Sequence, residues 1–265
     1  MLGCRVGIIA SSRISELPTP WIWIDINDAS TITLSGSQIT QVVSKTGSTS
    51  GLTFKVPYTK SLTGAPTTGP NLNTASLNGL NTMLFTSSPK NGLQSTVGAQ
   101  ILPDPGSISG FIVFKETGSA NGMTSIEHVQ IGYNTHGFLS CQSSGSGVNS
   151  KLAIQTNNVG LVETNAIIGN NYWIYWYWEV NVASGVYTNK FYVNGVFKLS
   201  TTGALGVPTA SDFLISIGGP MILSGSYNQT YGFIGEIAEI LEYKYALTDT
   251  QRVLVQNYIK AKYNL

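Results

Sequence analysis

The chain has 265 residues, 42% of them hydrophobic and only 10% charged, with a formal net charge of +1. That length suits one main domain, the apolar share excludes a disordered chain, and the charge balance offers no electrostatic footprint for nucleic acid or an anionic membrane. The two cysteines, Cys4 and Cys141, form no CxxC pattern, so neither a disulfide framework nor a zinc site is expected.

Residues 1–20 read as an N-terminal arm and linker, because "ELPTP" carries two prolines that break regular structure. "MLGCRVGIIASS" has no basic lead, and its apolar run Val6 to Ala10 falls short of the ~7–15 residues of a secretory leader, so no signal peptide is expected. No apolar run approaches the ~20 residues of a membrane-spanning helix. Residues 21–265 read as a single domain.

"WIWIDIND" alternates with period two, setting Trp21, Trp23 and Asp25 on one strand face and Ile22, Ile24 and Ile26 on the other, before a turn at Asn27-Asp28. The stretch Ser61 to Asn78, with Pro66, Gly69 and Pro70, reads as a long irregular connection, and Ser143 to Gly147 as a second loop. Strands are expected at "GFIVFK", "NYWIYWYWEVNV", "KFYVNGVFKL" and "FLISIGG". Within the third, Asn194-Gly195 suits a type I′ hairpin turn, since both residues tolerate positive φ. The chain closes with a helix, signalled by a Thr248-x-x-Gln251 capping box and by Val255, Tyr258 and Ile259 on one face.

The strand before that helix, "GEIAEILEY", holds Glu236, Glu239 and Glu242. Regular alternation places Glu236, Ala238, Ile240 and Glu242 on one face and Ile237, Glu239, Leu241 and Tyr243 on the other. Glu236 and Glu242 then lie roughly 20 Å apart at strand rise, whereas retaining glycoside hydrolysis needs two carboxyls about 5.5 Å apart. Rim charges with one hydrogen-bonded Glu239 are the expectation, and no catalytic residue is assigned.

"NYWIYWYWEV" divides the same way. Tyr172, Ile174, Trp176, Trp178 and Val180 form the face expected in the core, and Trp173, Tyr175, Tyr177 and Glu179 form the other. Trp173, Tyr175 and Tyr177 are the candidate binding residues, as a ring row that stacks on sugar or meets another subunit. Coverage of both faces within the domain is the competing reading. Asp25, Asn27 and Asp28 are oxygen ligands suited to calcium, but an Asx turn accounts for them more simply. His128 and His136 lack partners at metal spacing. No metal and no cofactor is expected, and Asn228 heads a glycosylation sequon in form only.

In sequence order, "WIWIDINDASTIT", "NGLNTMLF", "GFIVFK", "KFYVNGVF", "ISIGG" and "GFIGEIAEILEYKYALTDTQRVLVQNYIKAKY" resemble the laminin-G-like, or concanavalin-A-like, jelly-roll domains of many phage and bacterial surface proteins. The resemblance spans residues 21–263 and is most specific in its closing segment. It implies an all-β, two-sheet antiparallel jelly-roll sandwich with a C-terminal α-helix. Glycosidases on such a sandwich are expected to carry Glu-x-Asp-x-x-Glu on one strand, and here Ala238 stands where the Asp would be. The resemblance, with the layout of the N-terminal lead, implies a non-enzymatic structural or adhesive bacteriophage protein: a decoration, fibre or receptor-facing component of the virion, made in the host cytoplasm. Its implied partners are other virion proteins or copies of itself, and cell-surface glycan, with no nucleic acid and no membrane insertion. A stand-alone, lectin-like carbohydrate-binding module is the alternative, and a glycoside hydrolase the third reading.

Overall fold

The computed structural model of the chain describes residues 16–45, 52–57, 65–86, 91–96, 107–117, 123–131, 139–144, 151–156, 160–167, 172–183, 186–203, 213–218, 221–223, 226–228 and 233–265. The strands are β1 (Ile22–Asp25), β2 (Ile32–Ser35), β3 (Gln38–Val43), β4 (Thr53–Lys55), β5 (Asn71–Leu77), β6 (Leu80–Phe85), β7 (Leu93–Ser95), β8 (Ile108–Glu116), β9 (Met123–Ile131) and β10 (Leu139–Ser144). They continue with β11 (Lys151–Thr156), β12 (Gly160–Ile167), β13 (Ile174–Ala183), β14 (Val186–Val193), β15 (Val196–Gly203), β16 (Phe213–Ile217), β17 (Met221–Leu223), β18 (Ser226–Asn228) and β19 (Gly235–Tyr243). The helix α1 (Asp249–Tyr263) closes the fold.

The pairings build two antiparallel layers. In the first, β1 and β6 share one edge of β19, and β8, β13, β14 and β15 follow from its other edge, while β5 lies outside β6. The second runs β2, β3, β4, β7, β16, β9, β10, β11, β12. The layers join at one corner, where Gln38 of β3 faces Asn71 of β5. This is the antiparallel sandwich with one C-terminal helix that the sequence predicts.

Alternation explains the core between the layers. Ile22, Ile24, Ile112, Trp176, Trp178 and Ile240 point inward from the first layer and meet Phe54, Leu93, Ile215 and Ile217 from the second. Gly110 faces Trp178 across the β8–β13 pair, and a Cβ there would lie 2.8 Å from the indole, so the absence of a side chain makes room for the ring. Trp21, expected on the face of Trp23, instead joins this inner cluster. It precedes β1, so the strand's alternation does not govern it.

The outer face of the first layer carries α1. Thr248 and Gln251 exchange the two hydrogen bonds of a capping box, and Val255, Tyr258, Ile259 and Tyr263 are buried. They cover Trp23, Phe111, Val113, Tyr175, Tyr177 and Tyr243. Complete burial of each such side chain contributes on the order of 2 kcal/mol, which makes the helix a third layer of the domain. The part of the predicted arm within the described residues joins it, because Leu17 packs against this same cluster.

Two sequence expectations change. The supposed loop Ser61 to Asn78 contains β5, which pairs with β6 through an Asn78-Gly79 turn whose φ angles are 50° and 85°. The regular alternation of β19 also fails. A β-bulge between Ile237 and Glu239 places Ala238 opposite no residue of β8, and alternation resumes one residue out of phase. The expected Asn194-Gly195 turn is present, with φ of 50° and 78°.

Candidate functional site

Tyr175 and Tyr177, read from the sequence as contact residues, lie between the first layer and α1 with only 1% of their surface exposed. A stacking sugar or a second subunit needs an open ring face, and the helix occupies it. Burial pushes the Tyr175 hydroxyl up to about 12, and Tyr177 donates a 2.7 Å hydrogen bond to buried Glu179. These two rings are internal packing. Trp173, before β13 begins, is only half-buried, and its neighbour Tyr172 is 70% exposed.

The bulge brings Glu239 beneath α1. Its Oε1 accepts hydrogen bonds from Trp23 Nε1 at 2.7 Å and Tyr258 Oη at 2.8 Å, and its Oε2 lies 3.2 Å from Lys262 Nζ. Lys262 also reaches Asp25 Oδ1 at 2.9 Å, and Lys45 Nζ bridges Asp25 Oδ2 at 3.1 Å and Asp28 Oδ2 at 3.2 Å. Burial raises the pKa of Glu239 and outweighs the opposing pull of Lys262. At Asp25 burial pushes in the same direction, but Lys262 and Lys45 prevail and the pKa is lowered. The chain of charges pins the end of α1 to the sheet. Glu239 is fully buried and closed to any substrate.

Lys45 also bears on the calcium reading of Asp25, Asn27 and Asp28. Its ammonium group sits between the two carboxylates, where a bound cation would bridge them. Asn27 donates its N–H to Asp25 Oδ1 at 3.0 Å, which is the Asx turn the sequence suggests. His128 belongs to β9, Asn228 to β18, and His136 lies outside the described residues.

Glu236 sits on the same layer in a different setting. Its Oε1 pairs with Lys115 Nζ at 2.6 Å, and its Oε2 accepts from Thr82 Oγ1 at 2.6 Å, Asn73 Nδ2 at 3.0 Å and the Ser76 hydroxyl. Burial pushes its pKa up, but hydrogen bonds from Lys115, Ser76 and Thr82 outweigh that, so the carboxyl ionises below its ordinary range. Lys115 lies opposite Glu236 in the β8–β19 pair, and its ammonium sits 5.0 Å from the centre of the Trp173 indole. Five segments thus present a row running from Trp173 through Lys115 and Glu236 to Thr82, Asn73 and Ser76. Asn73, Ser76, Lys115 and Trp173 are all partly open to solvent.

An aromatic ring beside fixed donors and acceptors matches what a sugar presents: an apolar C–H face and a rim of hydroxyls. Of the residues proposed from sequence, only Trp173 belongs to this row. Glu236, expected from the sequence as a rim charge, gains its partners only in the fold: it and Asn73 are 163 positions apart, and no local pattern relates them. Farther along the first layer, Tyr192 lies under the Arg252 guanidinium at 4.1 Å, edge-on to Phe197, whose surface is 52% exposed.

No protein-family model matches the chain, and no curated protein does. Among solved structures it is similar to domain 4 of AbnA, an extracellular GH43 arabinanase from Geobacillus stearothermophilus in complex with arabinotriose. That likeness has 16% identity, covers 91% of this chain and 98% of that one, and has a TM-score of 0.57. A heptameric SAP-like pentraxin from Limulus polyphemus shares 15% identity over 65% of this chain and 78% of its own, with a TM-score of 0.49. The CBM40 of a Ruminococcus gnavus IT-sialidase, bound to α2,3-sialyllactose, shares 15% identity over 66% and 96%, with a TM-score of 0.47. At such identities the likeness is one of fold, an antiparallel β-sandwich of the concanavalin-like kind.

Proposed function

We propose that this chain is a non-catalytic carbohydrate-binding module and that the Trp173 row is its contact surface. The observation that carries this is the half-buried Trp173 ring beside the ion-paired, hydrogen-bonded group of Lys115, Glu236, Asn73, Ser76 and Thr82. Side chains already fixed by one another lose little freedom when a ligand arrives, so their bonds to sugar hydroxyls are not offset by ordering costs. The solved arabinanase domain with arabinotriose, matched over nearly its whole length, supports the choice of ligand class.

Absence of catalysis is part of the proposal. Glycoside hydrolysis needs an acid and a second carboxylate flanking an accessible bond. Glu236 is held ionised against Lys115, and Glu239 lies sealed under Tyr258, so β19 supports no such pair. A phage-particle setting, implied by the resemblance over residues 21–263 together with the layout of the N-terminal lead, accords with the same activity: the module would be the receptor-facing part of a virion protein.

The test is a glycan array probed with the full chain and with Trp173→Ala. The proposal expects retention on one glycan class and at least about tenfold weaker binding by the variant at a temperature where its circular dichroism matches that of the wild type. Uniform absence of binding by the full chain contradicts the proposal. So does sugar release from any bound glycan, for the non-catalytic part.

A further inference from the structure

The charge arrangement of the Trp173 row bears on which sugars it takes. Lys115 and Glu236 form a 2.6 Å pair with 19% and 6% of their side chains exposed, so the row carries one cation and one anion in contact. Asn73, Ser76 and Thr82 add only neutral dipoles. All three aim donors at Glu236 Oε2, holding a full negative charge at the floor of the row. A ligand lying along Trp173 toward Ser76 meets that charge with its cation already paired.

We infer that the ligand of this row is a neutral, hydroxyl-rich saccharide and that Glu236 is the specificity-determining residue that excludes acidic sugars. The inference rests on the carbohydrate-binding reading above. A uronic-acid carboxylate would have to leave water beside a Glu236 carboxylate that already pairs with the Lys115 ammonium, so its own desolvation is not offset. A neutral sugar pays no such cost: its hydroxyls donate to Asn73 Oδ1 and the Ser76 hydroxyl oxygen, both on residues partly open to solvent, while the Lys115 charge that would draw an acid is already cancelled by Glu236. Discrimination arises from what the site repels as much as from what it attracts.

The experiment compares binding of the full chain to a neutral oligosaccharide, arabinotriose or xylotriose, and to oligogalacturonate of equal length, for wild type and for Glu236→Gln. The wild type is expected to favour the neutral ligand by at least about tenfold, and Glu236→Gln, which frees the Lys115 charge, to shift the ratio toward the uronate by about tenfold or more. A wild type that favours the uronate overturns the inference and leaves carbohydrate binding standing. So does an unchanged ratio in a folded Glu236→Gln protein. Gln offers one oxygen and one NH2 group where Glu236 accepts at both oxygens, so folding of the variant is checked by circular dichroism, and the wild-type comparison is decisive by itself. Binding to neither ligand, nor to any glycan of the array, overturns the binding reading and this inference together.

Discussion

At the scale of single residues, the outer face of the first layer holds carboxyls tuned in opposite directions by the same burial. Asp25 and Glu236 ionise below their ordinary values of 3.8 and 4.5, because the lysines and hydroxyls around them outweigh desolvation. Glu239, with no exposed surface, is raised above 4.5. The signs for stability follow. A carboxyl with a depressed folded pKa stabilises the protein above its unfolded value, and that stability is lost as pH falls through the folded value. Glu239 acts oppositely, since the folded state holds its proton more tightly and stability falls as pH rises above 4.5. Urea unfolding midpoints measured from neutral pH downward should therefore drop below the ordinary Asp value of 3.8 as Asp25 takes up its proton. Asp25→Asn is expected to be less stable at neutral pH and to lose less of its stability in that acid range. An Asp25→Asn protein with the acid profile of the wild type would show that Lys45 and Lys262 do not hold this carboxylate.

Among the elements, legibility followed the range of the interaction. Asn194-Gly195 was readable because a type I′ turn is specified by two adjacent residues with positive φ. Asn78-Gly79 carries the same signal, but the prolines and glycines before it made the segment look irregular, and β5 was missed. The bulge at Ala238 left no trace in the sequence, because "EIAEILE" is consistent with regular alternation and only the register against β8 shows the extra residue. The periodicity of α1 predicted that Val255, Tyr258 and Ile259 would be buried, but not what they would cover. That gap made Tyr175 and Tyr177 look like an open aromatic row. One element-level prediction concerns the β8–β13 pair. Gly110→Ala drives a methyl group into the fully buried Trp178 indole, and overpacking of this kind costs about 2 kcal/mol. Chemical denaturation should show that loss with glycan affinity unchanged, since Gly110 faces the inter-layer core; an undiminished midpoint would mean that Trp178 has room to move.

On the scale of the whole molecule, α1 divides the work of the first layer. Where it lies on the sheet, aromatic rings and charges serve cohesion; at the Trp173 flank, a similar set of groups stays partly open. Sequence alone exposed one end of that surface, Trp173. Lys115, Glu236, Thr82, Asn73 and Ser76 come from four strands brought together only by the fold. Titration of the isotope-labelled full chain with the glycan that binds best on the array, followed by amide and indole chemical shifts, tests this account most directly. It predicts the largest shifts at the Trp173 indole and at the amides of Asn73, Ser76 and Lys115, with little change at Tyr175 and Tyr177. Shifts centred on the strands β9 to β12 of the second layer, with Trp173 unmoved, would contradict it.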